Sequence, residues 1–442
     1  MPRRGTFGCR YRQRWPSSRN SGGKPLLFQK LNARWPHRGH AESVSATVGT
    51  SLPKYLPGLD AVRALAAMAV LACHAVQATT VWSPRWVSNG GAAWAAPIRT
   101  AMEEAGAWGV GIFFVLSGLC IHLPLARKMA LGAPPQIDAP SYFRRRFRRI
   151  YPPHLIALGL SAVVAAALPL AHFAVHPMIS APSFRQLAAH LLMVHTFVPS
   201  AFYSINHVLW TIAVETHFYL LYPLLLAARR RIGTGTLCVV LLGISLALRM
   251  TGKVFAFDAE MKLILERNFV CRFWEWTLGC WLAERIVNRG IELTPNLRAL
   301  LGGLLVTYAI SLGLRNLLPY GGIWSGTLMP LLFALALTAA CGLAAQPDSF
   351  LVRVGKASYS LYLVHPIALS IALVTTRAAG ITSAWIEFAI AVPFAFAATF
   401  LFFRCVEQHY LATAPPSRAP VIQGASGRKI IGQITQLPSP LV

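Results

Sequence analysis

Charge is scarce in this chain, and negative charge is scarcest. Only 13% of its 442 residues are Asp, Glu, Lys or Arg, about half the ~25% usual for soluble domains. Fifteen are acidic against 41 basic, a formal net charge of +26. The shortage of charge excludes an ordinary soluble domain. The basic surplus alone would suit nucleic acid. Its distribution does not, because the cations fall in an N-terminal tail and in short runs between apolar segments, the positive-inside pattern. The eight cysteines form no CxxC pair and no close Cys/His cluster, so neither a disulfide framework nor a metal site is indicated. Residues 1–54 contain no apolar core of signal-peptide length. The two halves of the chain show no internal repeat.

Apolar sequence is abundant: 55% of residues are hydrophobic. Apolar segments long enough to span a bilayer fall near 58–78, 105–125, 150–171, 206–228, 233–251, 268–287, 297–315, 325–345, 358–377 and 384–404. Basic clusters follow the second span (Arg127, Lys128, then Arg144 to Arg149), the fourth (Arg229 to Arg231), the sixth (Arg285, Arg289, Arg298) and the eighth (Arg353, Lys356). They alternate correctly for ten spans with both termini cytoplasmic. A full crossing by 184–200 would put Arg229 to Arg231 outside, so that segment is expected to be re-entrant or interfacial. The expected fold class is all-α: a polytopic membrane bundle of about ten transmembrane helices plus that segment. The domain reading is a basic tail at 1–54, a transmembrane domain at 55–410 and a disordered C-terminal tail at 411–442. The N-terminal tail reads either as a disordered cytoplasmic arm able to meet anionic lipid or as an over-extended start.

Polar residues inside apolar spans carry the chemistry. An ionisable side chain at membrane depth costs roughly 2.5–3.5 kcal/mol or more and is a functional candidate by default. Arg63 and His74 are eleven residues apart in the first span, so on a helix they share a face about 16 Å apart. The plainer reading is a neutral His74 bonded to a neighbouring helix. Glu215 lies in an aromatic segment running from Trp210 to Pro223. Arg272 and Glu275 stand three apart on one face and read as a structural ion pair. Ser358, Tyr362 and His365 share a face at i, i+4 and i+7, which a capped helix start with a satisfied histidine would also explain. Five arginines between 144 and 149 exceed what orientation requires, and arginine forks suit phosphate.

Five blocks in order resemble the acyltransferase-3 membrane proteins, which O-acylate sugars and other acceptors. They are Gly58 through His74, Gly111 through Gly118, Arg146 through Pro152, Trp210 through Pro223, and Ser358 through Pro366. Arg272, Glu275 and Gly279 fit a weaker family pattern. Thr211, Thr216, His217, Ala61 and Val62 depart from it and put acceptor choice in question.

The resemblance implies a bacterial cytoplasmic-membrane enzyme with an acyl-CoA donor, acetyl-CoA in the first instance, as substrate rather than resident cofactor. It implies that Arg63 and His74 are the functional pair and that Arg146 and Arg149 belong to the donor side. Ser117, Trp210, Tyr362 and His365 are expected to line the substrate path. Many relatives carry an appended SGNH domain; none is expected here, so the membrane unit would complete the transfer or hand over to an envelope-biosynthesis partner. An acyl thioester needs a base, a polarised carbonyl and exclusion of water. His74, with an ordinary pKa near 6.5, is the expected base, and Glu215 is expected to orient it. Direct transfer and a covalent acyl-histidine both fit. The expected partners are membrane lipid, acyl-CoA and a saccharide or lipid-linked acceptor, with no nucleic acid. The competing reading is a proton-coupled transporter, because intramembrane His, Glu and Arg also build proton relays.

Overall fold

The computed structural model describes residues 53–411 except 54, 82–91, 169, 171, 174–177, 256, 290–296, 343–345, 347 and 382. The expectations for 1–52 and 412–442 lie outside the described residues. Ten long helices make the bundle: α1 (Pro57–Val76), α2 (Ala92–Ala130), α3 (Ala139–Ala167), α5 (Leu209–Ile232), α6 (Thr234–Val254), α8 (Phe269–Arg289), α9 (Leu297–Leu317), α10 (Gly321–Cys341), α12 (Ser358–Ala378) and α13 (Ala384–Phe402). Three short helices connect them: α4 (Phe184–Leu191), α7 (Ala259–Arg267) and α11 (Phe350–Lys356). No named strand occurs among the described residues; Ile179 and Asn206 form one isolated bridge. The long helices run from 19 to 39 residues, and at about 1.5 Å per residue even the shortest comes close to the ~30 Å hydrocarbon core. Eight of the described helices are long and apolar enough to cross a bilayer. The chain is therefore an all-α, multi-pass membrane protein.

The ten helices fall on the ten expected segments, with two shifts. Helix α2 begins at Ala92 and α3 at Ala139, where 105 and 150 were expected. The arginine run at 144–149 is thus the first part of α3 and not a loop before it. Tyr142, Ile150 and Pro153 face inward on α3, Arg146 and Arg149 are half-buried, and Arg144, Arg145 and Arg148 are exposed. Helical spacing selects two of the five arginines for the interior.

The centre is held by backbone contacts that only small residues allow. A Cβ on Gly118 of α2 would lie 1.9 Å from the Trp276 carbonyl oxygen of α8, and one on Gly279 would lie 1.9 Å from that of Val115. Gly109 approaches the Ala66 carbonyl of α1, and Gly355 of α11 approaches that of Asp60, in the same way. Buried Ala64, Ala66, Ala67 and Ala75 complete the small face of α1. These contacts set α1, α2 and α8 against one another, with α12 buried beside them. Arg127 donates to the Pro53 carbonyl at 2.7 Å and Arg230 to that of Pro135 at 3.0 Å, so the basic helix ends gather at one end of the bundle.

Segment 184–201 does not cross. It is the eight-residue α4 followed by two 3-10 turns, His195–Phe197 and Pro199–Ala201. Ser183 and Gln186 close a capping box at its start. Tyr151 donates to the Leu191 carbonyl at 2.8 Å, and Asn206 donates to Ser161 at 2.9 Å and to the Leu363 carbonyl at 3.1 Å. The end of α4 is thus tied to α3, and the turn at Asn206 to α3 and α12. Within this segment the His190 and His195 rings stack at 3.7 Å, both buried.

Two outcomes follow from this packing. Gly118→Ala should lower the folded yield and thermal midpoint in detergent. Gly159→Ala in α3, where an added Cβ meets nothing within 4 Å, should leave both unchanged or slightly raised. The second outcome concerns acid. Burial, and next the neighbouring His154, hold His190 down to about 3, and burial holds His195 well below its ordinary value. In the unfolded chain both titrate near 6.5. The unfolded state then binds more protons below that pH, so stability is full above about 6.5 and falls as pH drops toward 3. Thermal midpoints of the purified protein should trace that decline, and His195→Phe should flatten it.

Candidate active site

Two chambers open inside the bundle. The first, about 120 Å³, is lined by Arg63, Ser117, Cys120, Arg146, Arg149, Glu215, Tyr219, Ser358 and Tyr359 among others. The second, about 650 Å³, is lined by His74, Glu103, Glu104, Tyr203, His207, Trp210, Arg249, Lys253, Glu266, Arg267, Arg272 and Arg315 among others. Val110 of α2 and Tyr362 of α12 line both. The partition between the chambers is therefore thin, and the Phe113 ring meets Tyr362 edge-on within it.

Arg63 and His74 share α1 as expected, yet each opens onto a different chamber. The eleven-residue separation that puts them on one face also carries them to opposite sides of the partition. Arg63 is held firmly: it pairs with Asp60 and donates to Cys120 Sγ at 3.0 Å. Tyr55 donates to the other Asp60 oxygen at 2.7 Å. With Arg63 offset by Asp60, the remaining charged groups of the first chamber are Arg146, Arg149 and Glu215. Neither of these two arginines has a carboxylate within 4.0 Å among the described residues, and Arg146 lies against the Tyr142 and Tyr219 rings.

Glu215 is not the group that orients His74. It lies in the first chamber, where Ser117 Oγ donates to it at 2.6 Å and Tyr219 donates to the same oxygen. Trp276 Nε1 in turn donates to Ser117 at 3.2 Å. The physical reason is helix direction. Helix α5 starts at the second chamber, with Trp210 lining it, and descends past the partition before reaching Glu215.

The residue that meets His74 is His365. His74 Nδ1 stands 2.8 Å from His365 Nε2, and His365 Nδ1 stands 2.9 Å from the Leu361 carbonyl oxygen. A carbonyl oxygen only accepts, so His365 carries its proton on Nδ1 and accepts at Nε2. His74 must then donate from Nδ1, and in the neutral ring its lone pair sits on Nε2. His365 is 1% exposed and lies behind His74 rather than on a chamber wall, contrary to the expectation that it lines the substrate path. Ser117 and Trp210 do line the chambers, one each, and Tyr362 lines both.

Several residues of the second chamber carried no sequence signal. His207 meets His74 edge-on at 5.8 Å between ring centres and stacks on Tyr203 at 4.1 Å. It follows Ile205, a β-branched residue in the left-handed region at φ 64°, whose amide donates to Ser180 Oγ at 2.9 Å. Strain of that kind persists only where the surroundings impose it. Glu275 is 3.1 Å from Arg272 as expected, but Arg249 of α6 stands 3.6 Å away as a third member. No group of three or more metal-ligating side chains occurs among the described residues.

A family model described as an acyltransferase domain matches residues 56–404. The acyltransferase MdmB of Streptomyces mycarofaciens is 27% identical over 331 residues, covering 70% of this chain and 78% of that protein. The exopolysaccharide production protein ExoZ of Rhizobium meliloti is 26% identical over 271 residues, covering 60% and 77%. The O-acetyltransferase OatA of Staphylococcus aureus is 25% identical over 351 residues, 71% of this chain and 50% of that longer protein. No solved structure matches the chain. The match spans the ten long helices, both chambers and the His74–His365 contact, and the chain belongs to the acyltransferase-3 family of membrane acyltransferases.

Proposed function

We propose that the protein moves an acyl group, acetyl in the first instance, from a cytosolic acyl-CoA to a hydroxyl of a cell-envelope saccharide or similar acceptor. The observation that carries this reading is the contact of His74, at the wall of the larger chamber, with His365, which is itself held at the Leu361 carbonyl, beside the partition from the arginine-lined chamber. By the positive-inside rule the first chamber faces the cytoplasm, where Arg146 and Arg149 would meet the phosphates of the donor. The second chamber faces out and takes the acceptor. The site would then work in the bacterial cytoplasmic membrane with both termini inside, alongside the enzymes that build the acceptor.

The chemistry balances with few parts. The acceptor oxygen attacks the thioester carbon as its proton passes to His74 Nε2, a C–O bond forms, the C–S bond breaks, and CoA leaves as thiolate to recover the proton. His365 fixes the ring that takes the proton. Arg63, tied to Asp60 and Cys120, closes the donor side. Glu215 fixes Ser117 and Tyr219 in the donor wall. The transporter alternative is set aside by the family and by relatives named as acyltransferases.

Two measurements on purified protein in nanodiscs test this. His74→Ala should insert normally and lose acyl transfer by about 10²-fold or more, the usual scale for a general base. His365→Leu should lower kcat without raising the KM for acyl-CoA, and His365→Gln, which retains an acceptor, should recover part of the loss. Normal turnover in His74→Ala would refute the assignment. Separately, Arg149→Lys keeps charge but loses the planar fork, and should raise the KM for acyl-CoA more than it lowers kcat. Unchanged donor affinity in the Arg146→Ala, Arg149→Ala double variant would leave those residues a purely topological role.

A further inference from the structure

The second chamber is more than a space for any sugar, because its cations outnumber what its carboxylates can neutralise. Five cationic side chains line it, against three lining carboxylates and the buried Glu275. Most are paired locally. Arg315 pairs with Glu104, and Lys253 with Glu266 at 3.0 Å. Arg249 and Arg272 share Glu275 between them. Arg249 is 5% exposed, and its Nη2 has no hydrogen-bond partner. Its place is made by Gly326, where an added Cβ would fall 2.7 Å from the guanidinium.

Arg267 has no carboxylate within 4.0 Å among the described residues. It donates to the Tyr203 hydroxyl, and its guanidinium lies 5.7 Å from the Tyr203 ring centre and 5.6 Å from that of Trp210. The stacked Tyr203 and His207 rings run from Arg267 toward His74, with His207 edge-on to His74. A basic nitrogen, aromatic faces and an uncompensated guanidinium thus follow one another along one wall. Aromatic faces suit the apolar face of a sugar ring, and the planar arginine fork suits a carboxylate or phosphate.

We infer that Arg267, beside the buried Arg249 and Arg272, is an anion-recognising subsite. It selects acceptor saccharides bearing a carboxylate or phosphate near the hydroxyl presented to His74. The inference rests on the acyltransferase reading for its purpose but not for its measurement, which is binding. The shared chemistry, an anionic group on a sugar, has two sources: an acidic sugar within a glycan, or the phosphate of an activated or lipid-linked sugar.

The test titrates full-length protein in nanodiscs with trigalacturonate, its neutral counterpart galactotriose, and galactose 1-phosphate. At least one anionic probe should bind about tenfold or more tighter than galactotriose, the scale of one charge-assisted arginine contact. Which anion is preferred separates the two sources. Arg267→Gln should remove that advantage while leaving galactotriose unchanged. Arg267→Lys should keep part of it, which guards against a folding defect. Arg285→Gln, an exposed cation on α8 near its basic end, should change nothing. Equal affinity for neutral and anionic probes, no binding of either anion, or equal weakening of all probes by Arg267→Gln would each overturn the inference. Acyl transfer to the same probes is measured in parallel. Transfer without anionic preference sinks the subsite and spares the acyltransferase reading; charge-dependent binding without transfer does the reverse.

Discussion

A polar group carried into a bilayer must find its partner within the protein, and the interior of this bundle is arranged by that requirement. Asp60 offsets Arg63, Glu275 lies between Arg249 and Arg272, and Arg377 clasps Glu387 with bonds of 2.6 and 2.9 Å. Near the basic helix ends, Glu284 accepts from Arg229 at 2.5 Å and Thr234 at 2.8 Å and meets His122 at 2.9 Å. Such clusters join helices that apolar contacts alone would leave free to slide, because hydrocarbon chains are as apolar as leucine. With 15 acidic residues in the whole chain, each buried carboxylate settles the position of several helices. Arg146, Arg149 and the exposed Arg267 have no carboxylate within 4.0 Å among the described residues.

Much of the fold was legible in the sequence. Hydropathy and the alternation of basic clusters placed all ten long helices, since membrane thickness fixes segment length. The early start of α3 was not legible, because the arginines of 144–149 break the apolar run although they continue the helix. Of the site, the individual residues were legible and their pairing was not. Glu215 and His74 are both rare intramembrane ionisable groups, and nothing along the chain shows that a partition stands between them. His365 read as a lining residue because its spacing from Ser358 and Tyr362 gives a face but not a depth. Arg249, Arg267 and His207 stood singly, without motif or period, and gain meaning only through neighbours from other helices.

The glycines at the centre brace the wall of the first chamber. At Gly118 and Gly279 the backbones of α2 and α8 meet with no side chain between them. Ser117, next to Gly118, lines the first chamber, so this close contact fixes the position of that chamber's wall. In the proposed reaction, the thin partition between the chambers is where donor and acceptor would meet from opposite sides. Tyr362, shared by both chambers, is placed to report on both.

The orientation of His74 by His365 and a backbone carbonyl has an electrical consequence. A carboxylate in that place would put a full negative charge deep in the bilayer, where moving one elementary charge against the membrane potential is worth about 2.3 kcal/mol per 100 mV. With both imidazoles neutral, the chain of Leu361 carbonyl, His365 and His74 carries no net charge. In that state its contacts couple no net charge to the membrane potential.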